Sequence, residues 1–339
     1  MIRRILLGCP LIENLHLFRC TGLRNINVSE MHNLRNVIVV QKDLKIEFED
    51  RRVRSVLYGL GQVDAPKFRY LSSLMLHDFN IDNMFFHEFS YRFPCLEDLT
   101  LADCHGYRDL EISSDSLKCI SLTYQYRKLK KARFYVPSIR KFKFVGINFP
   151  SLSFVTASRE WESDIKLFCW HDVPRVPWFR KLKKFLAQLS VSRISLSLYF
   201  NNAECDDFVG GIQGFPPPVV ENLMVKVSPS VSSSLLNGLF WSCRPKFITQ
   251  YSGVDAIESR EMNRRLLWLL RRTSRQKDNQ NCVHDLEKAI PEFYEETLLK
   301  WQPFPLKAFF ASKIPAKREQ IRFRLTWGHF SIPKLTMAK

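Results

Sequence analysis

Apolar residues recur along this chain in short bursts of alternation. "LHLF" (15–18), "LTLA" (99–102), "ISLTY" (120–124) and "FKFV" (142–145) each set apolar against polar with a period of two. That is the signature of a short strand with one buried face. A further apolar residue stands three positions ahead of each pair. Ile12-Leu15-Leu17-Cys20 and Leu96-Leu99-Leu101-Cys104 are the two fullest copies. They lie within phrases that repeat at an offset of 84 residues, Pro10 to Pro94, without a gap: "GCPLIENLHLFRCTGLRNINVS" and "FPCLEDLTLADCHGYRDLEISS". Repetition on this scale governs architecture.

The repeated phrase follows Leu-x-x-Leu-x-Leu-x-x-Asn/Cys, the leucine-rich pattern. Weaker copies that lack the closing Asn or Cys occur at Leu71/Leu74/Leu76, Leu117/Ile120/Leu122, Ile139/Phe142/Phe144, Val191/Ile194/Leu196 and Val220/Leu223/Val225. One coil of this kind cannot bury its apolar face alone, and stacking coils in parallel builds a continuous core. In two places the pattern advances in shorter steps, Ile12-Leu23-Leu34 and Leu96-Tyr107-Leu117. Those steps predict two strands per coil, joined by turns at Gly22 and Gly106. Elsewhere the backing element reads as helix. "WFRKLKKFLAQL" (178–189) places Phe179, Leu182, Phe185, Leu186 and Leu189 at helical spacing, and 83–93 and 232–243 are further candidates.

Near residue 250 the pattern changes. "SREMNRRLLWLLRRTSRQKDNQN" (259–281) reads as a basic amphipathic helix that runs into a polar loop, and "QIRFRLTW" (320–327) as a closing strand. The apolar block of Leu266, Leu267, Trp268, Leu269 and Leu270 suits burial against the last coil better than a membrane surface. The expected fold is α/β, a leucine-rich-repeat solenoid (a horseshoe) with short parallel strands and irregular helices over 1–250. A helical and strand cap region follows over 251–339.

Composition narrows the setting. A chain of 339 residues at 45% hydrophobic is ample for a core, and no apolar run approaches a bilayer span. The opening "MIRRILLGCPLIENL" has too short an apolar patch for a signal peptide. Nine Cys, an odd number without a Cys-x-x-Cys pair, fit neither a disulfide framework nor a structural zinc site. A reducing compartment, cytoplasmic or nuclear, is expected. Cys20 and Cys104 sit where a small, buried, weakly hydrogen-bonding side chain fits. The net charge of +17 favours acidic partners without choosing among them.

Candidate chemistry is sparse. The eight His include no i, i+4 pair, and His171-Asp172 and His284-Asp285 are read as surface neighbours. Gly210-Gly211-x-x-Gly214 runs into Phe215-Pro216-Pro217-Pro218, which cannot open a phosphate-binding helix. No catalytic, metal-ligating or cofactor-binding residue is assigned. The basic clusters "RKLKKARF" (127–134), "RKLKK" (180–184) and "RRLLWLLRRTSR" (264–275) fall on backing or terminal elements. They read as solvated faces, or as a patch for an acidic partner, in preference to nucleic-acid readout.

Gly8-Cys9-Pro10-Leu11-Ile12-Glu13-Asn14-Leu15 resembles the recurrent "GCPxLExL" of the plant F-box/leucine-rich-repeat proteins, and Cys95-Leu96-Glu97-Asp98-Leu99 repeats it. "LFWSCRPKFIT" (239–249), "NQNCVHDLEK" (279–288) and "QIRFRLTW" resemble that family's C-terminal segments. The resemblance implies the substrate-recognition subunit of a Skp–cullin–F-box ubiquitin ligase, in which an F-box grips the Skp adaptor while the repeats hold the target. No F-box phrase occurs in the sequence, and Met1 falls inside a repeat. A truncated start is the expectation, so the Skp adaptor is a partner only if an F-box is restored upstream. The expected function is non-catalytic binding of a protein target, without cofactor or membrane. The alternative is a basic RNA- or DNA-binding, or general protein-interaction, scaffold. The structural residues on which the expectation rests are Leu15, Leu17, Cys20, Gly22, Leu99, Leu101, Cys104 and Gly106.

Overall fold

The computed structural model describes residues 11–18, 25–27, 33–40, 45–47, 70–78, 81, 86, 89–124, 129–158, 160–169, 174–200, 216–227, 232–251, 263, 266–268, 270, 286–295, 298–304 and 321–328. The fold is mixed α/β, mostly strands with few helices. The chain divides into two compact units, Met1–Ser163 and Asp164–Lys339.

In the first unit the strands are β1 (Asn14–Phe18), β2 (Asn25–Asn27), β3 (Asn36–Val40), β4 (Lys45–Glu47) and β5 (Ser73–His77). A helical turn α1 (Phe89–Arg92) precedes β6 (Asp98–Ala102), β7 (Asp109–Ser113), β8 (Cys119–Tyr124), β9 (Lys131–Tyr135), β10 (Lys141–Gly146) and β11 (Ser151–Val155). Strands β1-β3-β5-β6-β8-β10 lie side by side in that order, every pair parallel. Strands β7-β9-β11 form a second parallel sheet, and β2 pairs with β4. From β6 onward the chain therefore alternates between two sheets, two strands to a repeat.

Register follows from the alternation. Leu15, Val37, Leu74, Leu99, Ile120 and Phe142 form one inward row, and Leu17, Val39, Leu76, Leu101, Leu122 and Phe144 the next. All twelve are buried. A slip of one residue would turn both rows to solvent, so the register is strongly specified. The residue ahead of each strand locks it further. The carbonyl of Glu13 accepts from the N–H groups of Arg35 and Asn36 at 2.8 and 3.0 Å, and Arg35, Ser72, Glu97 and Lys118 do the same for the strand that follows.

The expected corner at Gly106 is present, with φ 97°, between β6 and β7. Asp78 and Asp103, which follow β5 and β6, also take left-handed values of 55° and 49°, a conformation Asp tolerates. Their N–H groups donate to Ala102 and Thr123 at 2.8 and 2.7 Å, which carries the ladder around the bend. Leu110, Ile112, Ala132, Phe134 and Leu152 cover the core from the second sheet. The far end is aromatic: Phe154 lies 4.8 Å from Phe134, 5.0 Å from Phe142 and 4.8 Å from Trp161, centroid to centroid.

At the division β12 (Glu162–Cys169) begins, followed by α2 (Val176–Ala187), β13 (Arg193–Phe200), β14 (Val219–Val227), α3 (Ser233–Ser242) and β15 (Arg244–Tyr251). Strands β13, β14 and β15 pair in parallel. The helix expected over 178–189 is α2, with Phe179, Leu182, Phe185 and Leu186 buried and a Pro in its first turn, where a missing N–H costs nothing. The candidate over 232–243 is α3, capped by Ser232 Oγ accepting from Leu235 N at 3.1 Å. Within 83–93, the described residues are helical at Phe86 and at Phe89–Arg92.

One repeat assignment needs correction. Ile194 and Leu196 are buried as expected, but Val191 is 64% exposed, and Leu189, at the end of the α2 turn, fills the interior instead. The turn that ends the helix brings an apolar residue to that place.

Past Tyr251 the pairing changes sense. β16 (Leu286–Glu295), β17 (Lys300–Pro303) and β18 (Ile321–Trp327) are antiparallel, and β18 runs against β15. The closing strand expected at 320–327 is β18. Within 259–281, Asn263, 266–268 and Leu270 are helical; Leu266, Leu267 and Leu270 are buried while Trp268 faces out. No helix among the described residues is long and apolar enough to cross a membrane.

Candidate interaction surface

Alternation that buries one set of residues presents the other set in ordered rows. On the first unit the outer rows read Asn14/Asn36/Ser73/Asp98/Cys119/Lys141, then His16/Ile38/Met75/Thr100/Ser121/Lys143, then Phe18/Val40/His77/Ala102/Thr123/Val145. The rows grade in character. Phe18 (59% exposed), Ile38, Val40 and Met75 put an apolar patch at the β1–β5 end, beside Asn14, Asn36 and His16. Ser73, Thr100, Ala102, Ser121 and Thr123 leave a shelf of small side chains across the middle. Lys141 and Lys143 make the β10 end cationic.

Polar contacts border the shelf. Asn36 Nδ2 donates to Asn14 Oδ1 at 2.5 Å, one rung of an amide ladder. Lys118 Nζ meets Glu97 Oε1 at 2.5 Å, and Arg35 lies 3.6 Å from Glu13. Both pairs are largely exposed and contribute little stability. Burial raises the Cys119 thiol above its ordinary range; Asp98 adds to this by hydrogen bond and charge, against Lys141 and Lys143. This thiol stays protonated at neutral pH, the inert form of a cysteine.

Four of the eight structural positions, Leu15, Leu17, Leu99 and Leu101, come together in adjacent inner rows. Cys104 is buried and its Sγ–H donates to the Leu76 carbonyl at 3.3 Å, so it ties one repeat to the one before. Gly106 makes the corner. Cys20, Gly22, Leu23, His171-Asp172, His284-Asp285 and Gly210 to Gly214 lie outside the described residues. Among the described residues no group of three His, Cys, Asp or Glu is placed to hold a metal ion.

The described residues of the clusters at 127–134 and 180–184 sit off the inner strands, and the arginines of 264–275 lie outside the described residues. Lys131 and Arg133 lie on β9, where Arg133 reaches Glu111 at 3.4 Å, and Arg180 to Lys184 lie on α2. Sequence reasoning passed over Lys141 and Lys143. Their signal was legible in "KFKF" (141–144), whose alternation puts both cations on the outer face once Phe142 and Phe144 turn inward.

In the second unit the outer rows of β13, β14 and β15 are mixed, Ser195/Asn222/Phe247, Ser197/Met224/Thr249 and Tyr199/Lys226, with rings at one end. Phe168 and Tyr199 stack at 4.7 Å, with Lys226 Nζ 6.0 Å from the Tyr199 ring. A comparison with protein-family models, curated proteins and solved structures finds no match for this chain.

Proposed function

We propose that the chain is a leucine-rich-repeat protein of the solenoid kind that binds a protein target and does no chemistry itself. The observation that carries this reading is the graded outer face of β1-β3-β5-β6-β8-β10. A surface with an apolar patch at one end, small side chains in the middle and cations at the other suits an extended segment with apolar residues toward β1 and acidic residues toward β10. The resemblance to F-box/leucine-rich-repeat proteins supports a role as substrate receptor for a Skp–cullin–F-box ligase, in the cytoplasm or nucleus. There it would raise the concentration of its target near the ligase.

The test is a paired comparison of the full chain with the double variant Thr100→Arg/Ser121→Arg. Neither side chain belongs to the core, so the melting temperature should hold while capture of the target falls at least roughly tenfold. Fusing an F-box ahead of Met1 should add adaptor binding without changing target capture. If the double variant captures the same proteins as the parent, the outer face is not the binding surface. A steep loss of single-stranded RNA binding between about 50 and 200 mM salt, tracking Lys143→Glu, would favour the nucleic-acid reading instead.

A further inference from the structure

One face of the second unit combines features that folding alone does not explain. The pairs Glu292↔Arg322, Ile290↔Arg324 and Tyr294↔Trp301 put Ile290, Glu292 and Tyr294 of β16 on the same side as Trp301 of β17 and both arginines of β18. Phe247 of β15 joins them through its pairing with Arg324. The Arg322 guanidinium lies between two rings, 3.8 Å from the centroid of Phe247 and 4.1 Å from that of Trp301. Its Nε donates to Glu292 Oε2 at 2.8 Å, and the Arg324 Nε lies 3.0 Å from Glu292 Oε1. Glu292 is 4% exposed. One buried carboxylate is thus shared by two guanidiniums, and the cluster keeps a net positive charge.

Both contacts use Nε. The Arg324 side chain is 47% exposed, and its shortest approach to Glu292 is through Nε. A guanidinium oriented through Nε presents its terminal donors as a pre-set fork, the geometry that meets a carboxylate bidentately.

The β16–β17 hairpin supplies a second, independent observation. Leu298 and Leu299 at its tip are 50% and 76% exposed. Leu299 also has φ 49°, a left-handed conformation that Gly or Asn adopts readily and a branched apolar side chain does not. The left-handed residue closes the connection between Glu295 and Lys300, after the Leu298 N–H donates to the Glu295 carbonyl at 3.2 Å, but nothing in that turn calls for two exposed leucines where Gly or Asn would fit. Two residues inward along the hairpin the Tyr294 and Trp301 rings meet edge to face at 5.4 Å, beside Arg322.

We propose that this face docks an acidic peptide segment of a protein partner. A carboxylate of the segment meets the half-exposed Arg324 guanidinium, and its flanking apolar side chains pack on Trp301, Tyr294 and the leucine tip. The charge of +17 on the chain matches such a partner. A nucleic-acid strand suits the face poorly. Base stacking needs open aromatic faces, whereas Trp301 already holds Arg322 on one side, and exposed leucines offer a phosphate backbone nothing. The inference stands apart from target binding on the first unit, and different variants test the two.

An array of short peptides alternating Glu or Asp with Leu, Phe or Trp, printed beside counterparts with Gln or Asn, is probed with the full chain. The acidic set should bind in preference. Arg324→Gln should weaken binding roughly tenfold or more, the loss of a charge-assisted contact. Leu299→Gly should weaken it comparably while leaving the melting temperature unchanged or higher, because glycine relieves the left-handed residue. That variant keeps the test decisive even if Arg324→Gln folds poorly. Thr100→Arg/Ser121→Arg should leave peptide binding intact. Equal binding of acidic and amide peptides, or parent-like binding by Leu299→Gly, overturns the proposal. So does an oligouridine strand that binds and is lost with Arg324→Gln while no peptide binds.

Discussion

The first unit backs its parallel strands with other strands, and the second backs them with helices. Repeat length decides which. β6, β8 and β10 begin at Asp98, Cys119 and Lys141, whereas β13, β14 and β15 begin at Arg193, Val219 and Arg244, a few residues further apart each time. A five-residue strand covers about 17 Å at roughly 3.3 Å per residue. A helix rising 1.5 Å per residue needs about eleven residues for the same return. α2 and α3 have 12 and 10. The shorter repeats have room only for β7, β9 and β11 and a tight corner such as Gly106. The comparison also separates the outer faces. Small side chains fill the middle of the first, whereas the second sets rings beside Lys226 and the arginines of β18.

The sharpest break tests the first unit's alternation directly. Leu101 is fully buried between its neighbours Leu76 and Leu122, while Thr100 beside it faces out. Leu101→Asp buries an unpaired carboxylate and should cost about 4 kcal/mol or more. Thr100→Asp should stay within about 0.5 kcal/mol of the parent. Chemical denaturation of both variants measures the difference. Equal midpoints would mean that the two rows do not face opposite ways.

Much of this was legible in the sequence because a strand's period of two leaves no freedom. Once Leu99 and Leu101 are taken as buried, Thr100 must be outside and Lys143 must lie in its row. The stepped pattern Leu96-Tyr107-Leu117 likewise announced the second strand, and it continues through Leu129 and Ile139, which are buried one position ahead of the residue that leads into β9 and β10. Three things were not legible. Val191 occupied a repeat position by spacing, but the turn after the preceding helix had already delivered Leu189 to the core. "HDLEKAIPEFYEETLLKW" alternates only partly, so its hairpin and the antiparallel switch after Tyr251 rest on pairing across distant sequence. The Arg322–Glu292 bond spans such a distance, and no local period records it.

Two glycines sharpen the contrast at smaller scale. Gly106 is needed for its φ of 97°, so Gly106→Val should cost about 1–3 kcal/mol through backbone strain. Gly238 sits inside α3, where alanine would ordinarily favour the helix by roughly 1 kcal/mol. A Cβ there would overlap the Phe179 ring of α2, which is fully buried. Ser242 Oγ donates to the Phe179 carbonyl at 3.0 Å and fixes the approach. Gly238→Ala should therefore destabilise by about 1–3 kcal/mol, the cost of overpacking. Thermal melts decide it. A stabilised Gly238→Ala would mean that the two helices do not pack this closely.

The smallest effect separates the units by pH. In the first, Tyr107 and Tyr124 share a buried hydroxyl–hydroxyl bond of 2.5 Å, and burial raises both phenols above their ordinary range. In the second, Cys243 is fully buried and desolvation pushes its thiol up to about 12. Unfolded, a cysteine loses its proton near pH ~8.5 and a tyrosine near ~10. Above those values the folded chain holds more protons than the unfolded one, so stability falls as pH rises. The sign is the reverse of a salt-bridged carboxylate. The Cys243 contribution is complete below about 8.5 and is lost by about 12, whereas the tyrosine contribution starts to fall only above about 10. Tyr107→Phe should cost about 1 kcal/mol at neutral pH, since Tyr124 loses its partner. Chemical denaturation at a series of pH values should show stability falling from about 8.5 upward and falling further above about 10. Cys243→Ala should flatten the early part of that decline and Tyr107→Phe the later part. If both variants follow the parent's alkaline curve, these buried groups do not set it.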